Sequence, residues 1–259
     1  MGMNRNGALI ALAIGGAVGL LFGVYPELDL DISGLFFDPH RENLWLGITG
    51  PIWLMRTGAT WLTALIAAPA FVALAVKVLF PRRPALLPGR AVMLMIASLA
   101  LAPGLLANGI LKERWGRPRP IDVTAFNGTD PFLPWWDPRG PCPKNCSFIA
   151  GEPSGAFWTL AAAVVAPPPS RMLAAGAALA FGAADSLVRM AAGGHFFTDV
   201  VFSGVFTFLI VWIAHGLLYR WRPTRVTDAA VERIPEMLTT AIERAATWIA
   251  GRTRRPDAT

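Results

Sequence analysis

The chain is short of the residues from which soluble enzymes build their surfaces and metal centres. Only 15% of its 259 residues are charged, and it contains three histidines and two cysteines. So little charge argues against a soluble globule, whose usual share is about a quarter. Cys142 and Cys146 stand in a polar stretch with three residues between them, with no further ligand residues near enough to complete a metal set. They read either as a loop-closing disulfide in an oxidising compartment, the preferred reading, or as two free thiols. Internal repeats and low-complexity tracts are missing as well. A continuous basic stripe is also absent despite the formal charge of +6, because the arginines sit mainly at the ends of apolar runs. That placement suits orientation in a membrane and argues against a nucleic-acid partner.

What the chain does have is apolar sequence: 54% hydrophobic residues and a mean hydropathy of +0.48. A bilayer core about 30 Å thick needs roughly 20 mostly apolar residues per helix. Six runs approach that length: Ala8 to Val24, Ala59 to Phe80, Ala91 to Leu111, Gly155 to Ala166, Met172 to Met190 and Val200 to Trp221. The fourth is short, follows the cysteine loop and ends at Pro167-Pro168-Pro169, so it is expected to begin inside a protein-lined pocket. The first follows Arg5 but leads into Tyr25-Pro26-Glu27 without a cleavage pattern, and reads as an uncleaved anchor. With six crossings, Arg5, then Arg82, Arg83 and Arg90, then Arg171, then Arg220, Arg222 and Arg225 all fall on one side, the cytoplasmic one by the positive-inside tendency.

The expected fold is therefore all-α: a six-transmembrane-helix bundle over residues 1–222, both termini cytoplasmic, with a periplasm-facing site built from segments 27–58, 112–153 and 193–198. In residues 223–259, Val226, Ala230, Ile234, Met237, Ala241, Ala245, Trp248 and Ile249 recur at helical spacing. They read as an amphipathic helix on the cytoplasmic surface, broken at Pro235, or as a solvated tail.

Two charged stretches stand at ends of these runs. The third run exits as Lys112-Glu113-Arg114-Trp115-Gly116-Arg117-Pro118-Arg119-Pro120, four cations in eight residues. Lysine supplies a point charge and arginine a bidentate fork, the two geometries that hold a phosphate. The plainer reading is contact with lipid headgroups. The fifth run leads through Arg189 and Gly193-Gly194 to His195 and Asp199. Four residues apart on a first helical turn, His195 and Asp199 share a face. An aspartate accepting from one imidazole nitrogen fixes the tautomer and leaves the other nitrogen free as a nucleophile, with Arg189 placed to clamp the group under attack. Asp185, one turn before Arg189, is expected to pair with it.

The spacing of Lys112 and Arg119-Pro120, together with that of Arg189, His195 and Asp199, resembles the type 2 phosphatidic acid phosphatase superfamily over about residues 20 to 221. The resemblance implies that Lys112, Arg119 and Arg189 bind phosphate without a metal or other cofactor, and that His195 attacks phosphorus to form a phosphohistidine. It also implies a second-motif histidine that protonates the leaving oxygen, and here the chain departs from the pattern, with no histidine between His40 and His195. Two registers are open. In one, Pro153-Ser154-Gly155-Ala156 matches the motif and Ala156 replaces the acid. In the preferred one, Ser147-Phe148-Ile149-Ala150-Gly151-Glu152 matches, so Gly151 joins the phosphate-binding set and Glu152 replaces the acid. A carboxyl in a membrane pocket can hold a proton well enough to donate it.

The expectation is a metal-independent phosphatase of the bacterial inner membrane acting on a lipid phosphate. A good leaving group needs less help from an acid, which ranks lipid A or undecaprenyl diphosphate above phosphatidic acid. A lipid phosphotransferase and a lipid-phosphate-binding pseudoenzyme remain as alternatives. A transporter is disfavoured by the lack of paired charges deep in the spans. The sequence carries no signal for oligomeric state.

Overall fold

In the computed structural model, which describes residues 3–40, 45–46, 50–222 and 226–253, every regular element is helical, and no β-strand forms among the described residues. Helix α1 spans Arg5–Val24, capped where the Asn4 side chain accepts from the Gly7 amide at 3.0 Å. A short α2, Leu28–Gly34, precedes α3, Gly50–Leu79. At 30 residues α3 is about 45 Å long, well beyond the thickness of a bilayer core.

Helix α4, Gly89–Leu99, continues through wide π-type turns at Ala100–Leu111 into a last turn, α5, at Lys112–Arg114. Pro103 sits in the widened stretch, and Asn108 Nδ2 donates to its carbonyl at 2.6 Å. The remaining elements are α6 Gly151–Trp158, α7 Leu160–Val165, α8 Pro168–Ala191, α9 Phe197–His215 and α10 Asp228–Thr253.

Among the described residues, five helices are long and apolar enough to cross a membrane: Arg5–Val24, Gly50–Leu79, Gly89–Arg114, Pro168–Ala191 and Phe197–Arg220. Leu9, Leu12 and Leu20 on the first and Trp61, Leu65 and Val72 on the second are exposed, an apolar girdle suited to lipid. The fourth apolar run of the sequence does not make a sixth such helix. It forms α6 and α7, parted at Thr159, whose hydroxyl donates to the Ala156 carbonyl at 2.7 Å, and Pro167 ends the second piece. This pair is the most deeply enclosed part of the bundle. Helix α6 packs against α8, α9 and the widened stretch. Trp158 is fully buried, with its indole donating to the Met95 carbonyl at 3.1 Å and to Ser98 Oγ at 3.0 Å.

Helix α10 runs unbroken through Pro235 and lies against α3 and α4, joined by Arg90 to Asp228 at 2.7 Å and Lys77 to Glu236 at 2.7 Å. Arg225 and the side chains of Ala245, Trp248 and Ile249 lie outside the described residues.

Candidate active site

The third span's end, the start of α6, the end of α8 and the start of α9 lie at one end of the bundle. Two ionic clusters form there, one closed and one open.

The closed cluster centres on Arg117, which has no exposed side-chain surface. Its guanidinium donates to Asp199 Oδ1 at 2.6 Å, Thr198 Oγ1 at 2.9 Å, Asp29 Oδ2 at 2.8 Å and the Leu133 carbonyl at 2.9 Å. Asp29, from α2, also accepts from the Thr198 amide at 3.0 Å. Asp199 Oδ2 accepts from the Phe196 amide at 2.9 Å and from the Ser147 hydroxyl. Two carboxylates thus cap the amino end of α9, where the helix dipole favours negative charge. One of the four cations after the third span is therefore structural, and it is unavailable to an external anion.

His195 sits beside this cluster and is 1% exposed. It is not on α9: the helix starts at Phe197, and His195 follows a turn in which Gly193 takes φ +65°, the left-handed region glycine tolerates. Nor does it bond Asp199. Its Nδ1 is 3.9 Å from Asp199 Oδ2 but 2.7 Å from the Ser147 carbonyl. A carbonyl only accepts, so Nδ1 carries the proton and Nε2 the lone pair. Asp199 thus orients the imidazole at one remove, through Ser147. Nε2 is buried without a hydrogen-bond partner. Burial, then the charges of Arg189, Lys112 and Arg119, hold the imidazole pKa well below its usual 6.5. The shift favours the neutral imidazole.

These cations form the open cluster. Arg189, 5% exposed, has its Nε buried without a hydrogen-bond partner, 3.6 Å from Glu152 Oε2. A side chain at Gly194 would collide with the Arg189 guanidinium, which fixes why the turn needs glycine there. Arg119 Nε and Nη2 both donate to the Asn145 carbonyl, at 3.2 and 2.8 Å. Asn145 belongs to the loop closed by a Cys142–Cys146 disulfide with 5.8 Å between Cα atoms, and the Cys146 amide donates to the Lys112 carbonyl at 2.9 Å. The disulfide loop thus braces two of the three cations.

Glu152 stands in the first turn of α6 beside Gly151, whose close approach to the Asn108 side chain leaves no room for a Cβ. The ends of its carboxylate accept from Arg56 Nε at 2.8 Å and Arg56 Nη2 at 2.6 Å. In this pairing it is an ionised acceptor and not the proton-bearing acid expected from the sequence. Of the alternative register, Ser154 bonds Thr207 at 2.7 Å inside the α6–α9 interface, while Gly155 and the buried Ala156 line a cavity of about 330 Å³ below the cations. Lys112, Glu152, Asn108, Thr63 and Asp185 line it too. Asp185 does not bond Arg189; both its carboxylate oxygens are buried without a hydrogen-bond partner.

Sequence reading missed Arg56, Asp29, Ser147 and Thr198. Arg56 carried one usable signal, a charge within the otherwise apolar stretch Trp53-Leu54-Met55-Arg56-Thr57. Asp29 and Thr198 carried none, because their partner lies 88 and 81 residues away along the chain.

The family model of the PAP2 superfamily matches residues 91–226. A protein named lipid A 4'-phosphatase from Francisella tularensis subsp. novicida (strain U112) is 31% identical over 219 residues, covering 84% of this chain and 98% of that protein. Proteins of the same name from Rhizobium leguminosarum and Rhizobium etli are 36% and 34% identical over 119 residues, or 46% of this chain, and the match spans about half of each. No solved structure matches the chain.

Proposed function

The chain belongs to the PAP2 superfamily, and we propose that within it the protein is a metal-independent lipid phosphatase of the bacterial inner membrane that removes the 4'-phosphate of lipid A. The substrate follows the name of the relative that the chain matches over 98% of its length. One observation carries the chemistry: a buried, neutral His195 with Nδ1 bonded to a carbonyl and Nε2 unpartnered, within reach of three cationic side chains.

In the first half-reaction Nε2 attacks phosphorus while Lys112, Arg119 and Arg189 balance the charge on the phosphoryl oxygens. The bond to the sugar oxygen breaks, its electron pair stays on that oxygen, and the oxygen takes a proton from Glu152. Glu152 receives that proton from the acidic hydroxyl of the phosphate monoester as it binds, since the surrounding cations favour the dianion as the form under attack. Water then attacks the phosphohistidine and gives its proton to Glu152. The P–N electron pair returns to His195, and inorganic phosphate leaves. Gly151 contributes a first-turn amide, which has no acceptor inside its own helix.

Counting α6 and α7 as one broken crossing gives six. The reactive cluster then lies at one end of the bundle and Arg82, Arg83, Arg90, Arg171 and Arg220 at the other, which supports a periplasmic site, cytoplasmic termini and a cytoplasmic α10. Residues 1–222 form the phosphatase domain in this reading, and 223–259 an amphipathic appendage.

The test is phosphate release by purified protein from lipid A, undecaprenyl diphosphate, phosphatidylglycerol phosphate and phosphatidic acid, with and without chelator. Release from lipid A, undiminished by chelator and absent in His195→Ala, is expected. No release from any of the four, or full turnover by His195→Ala, overturns the reading.

A further inference from the structure

Arg56 belongs to no motif, yet it holds the carboxylate on which the proposed proton transfers depend. Arg56 stands in the second turn of α3, where that helix meets α6, and its guanidinium reaches Glu152 in the first turn of α6. Its side chain is 45% exposed and that of Glu152 31%. An ion pair this open adds little stability, so the value of the contact lies in where it puts the carboxylate.

The fork geometry fixes both oxygens of Glu152 at once. Glu152 thereby stays in ion-pair contact with Arg189, with Oε2 3.6 Å from Nε, without taking a hydrogen bond from it, so Nε keeps a free donor for substrate. Without Arg56, nothing on α3 opposes collapse of the carboxylate onto Arg189, where it would compete with the phosphate for the same guanidinium. Arg56 also faces the charge that reappears on Glu152 once its proton has gone to the leaving oxygen.

We propose that Arg56 is a positioning residue for the reaction: it anchors Glu152 beside the leaving oxygen, keeps it off Arg189, and sets the pH range over which Glu152 exchanges its proton. The inference rests on the role given to Glu152 above. Atoms balance as written there, and Arg56 forms and breaks no covalent bond.

The experiment is the pH dependence of kcat, which reports the substrate complex in which Glu152 carries its proton, for phosphate release from lipid A micelles by wild type, Arg56→Ala, Arg56→Lys, Glu152→Gln and the Arg56→Ala/Glu152→Gln double variant. Arg56→Ala is expected to lose about tenfold to a hundredfold in rate, the scale of a misplaced reacting group. Its alkaline limb should move to higher pH, because the ionised carboxylate has lost its partner. Arg56→Lys, with the charge but not the fork, should restore the limb and part of the rate. In the Glu152→Gln background, Arg56→Ala should cost nothing further. A rate loss with an unmoved limb, or an equal loss in both backgrounds, overturns the proposal, since Arg56 would then act on folding or directly on substrate. Full turnover by Glu152→Gln overturns the role of Glu152 itself, which separates the two failures. Should Arg56→Ala fail to fold, Arg56→Gln answers the same question.

Discussion

The two ionic clusters at the reactive end of the bundle share neighbours in sequence and differ in one physical respect. Around Arg117, the guanidinium is met by carboxylates, a hydroxyl and a carbonyl, and Asp29 and Asp199 are tied in turn to amides and hydroxyls. Around Arg189, bonding capacity is left over: the donor Nε of Arg189 and the lone pair on Nε2 of His195 are both buried and unpartnered, and Glu152 is drawn toward Arg56. A closed network holds a shape, while an open one keeps its bonding capacity for a ligand. The clusters meet at Ser147, whose hydroxyl serves Asp199 and whose carbonyl serves His195. The scaffold thereby holds the His195 imidazole, the proposed nucleophile, without neutralising the cations of the open cluster.

This contrast breaks most sharply at Arg117. Arg117→Ala strands two buried carboxylates and should cost about 3–5 kcal/mol of stability, read as a large drop in melting temperature in detergent. A melt within a degree or two of wild type would show that the closed cluster is not a scaffold.

Arg189→Ala should do the reverse, leaving the melt near wild type while lowering kcat/KM by about 10²- to 10³-fold. It also tests the electrostatics of His195. The pKa of this imidazole is held well below 6.5, so the free enzyme keeps its neutral, nucleophilic form as pH falls through that value, and the acid limb of kcat/KM lies beneath it. Removing one of the cations responsible should raise that pKa and move the acid limb upward. An acid limb that stays in place in Arg189→Ala would contradict the proximity of the two groups.

The smallest effect is expected at the disulfide. The Cys142→Ser/Cys146→Ser variant loosens the loop whose Asn145 carbonyl holds Arg119. It should raise KM by about threefold to tenfold, on the order of one neutral hydrogen bond, with kcat little changed. A loss confined to kcat would place the loop in the chemistry instead.

Much of this was legible in the chain because the signals are local. Apolar runs of membrane length, the Lys112 to Arg119 spacing and the Arg189 to Asp199 spacing each lie within a few helical turns, and they identified the spans and His195, Lys112, Arg119 and Arg189 as site candidates. The run from Gly155 to Ala166 misled in its helix boundaries, since composition registers hydrophobicity but not the parting at Thr159. The expected His195–Asp199 bond rested on both residues lying on one helix; starting α9 at Phe197 puts the imidazole on the preceding turn and within reach of Ser147 instead. The charge state of Glu152, unlike its candidacy, was hidden for a different reason. Whether a carboxyl carries a proton depends on its partner, and Arg56 lies 96 residues away.

The most direct test of the central claim is to quench the enzyme during turnover of lipid A, under alkaline conditions that preserve phosphoramidates, and to map the phosphoryl group by mass spectrometry. The account predicts a phosphoryl adduct on His195, present in wild type and enriched in Glu152→Gln if the second half-reaction is slowed more than the first. An adduct on another residue, or turnover with none formed, would contradict it.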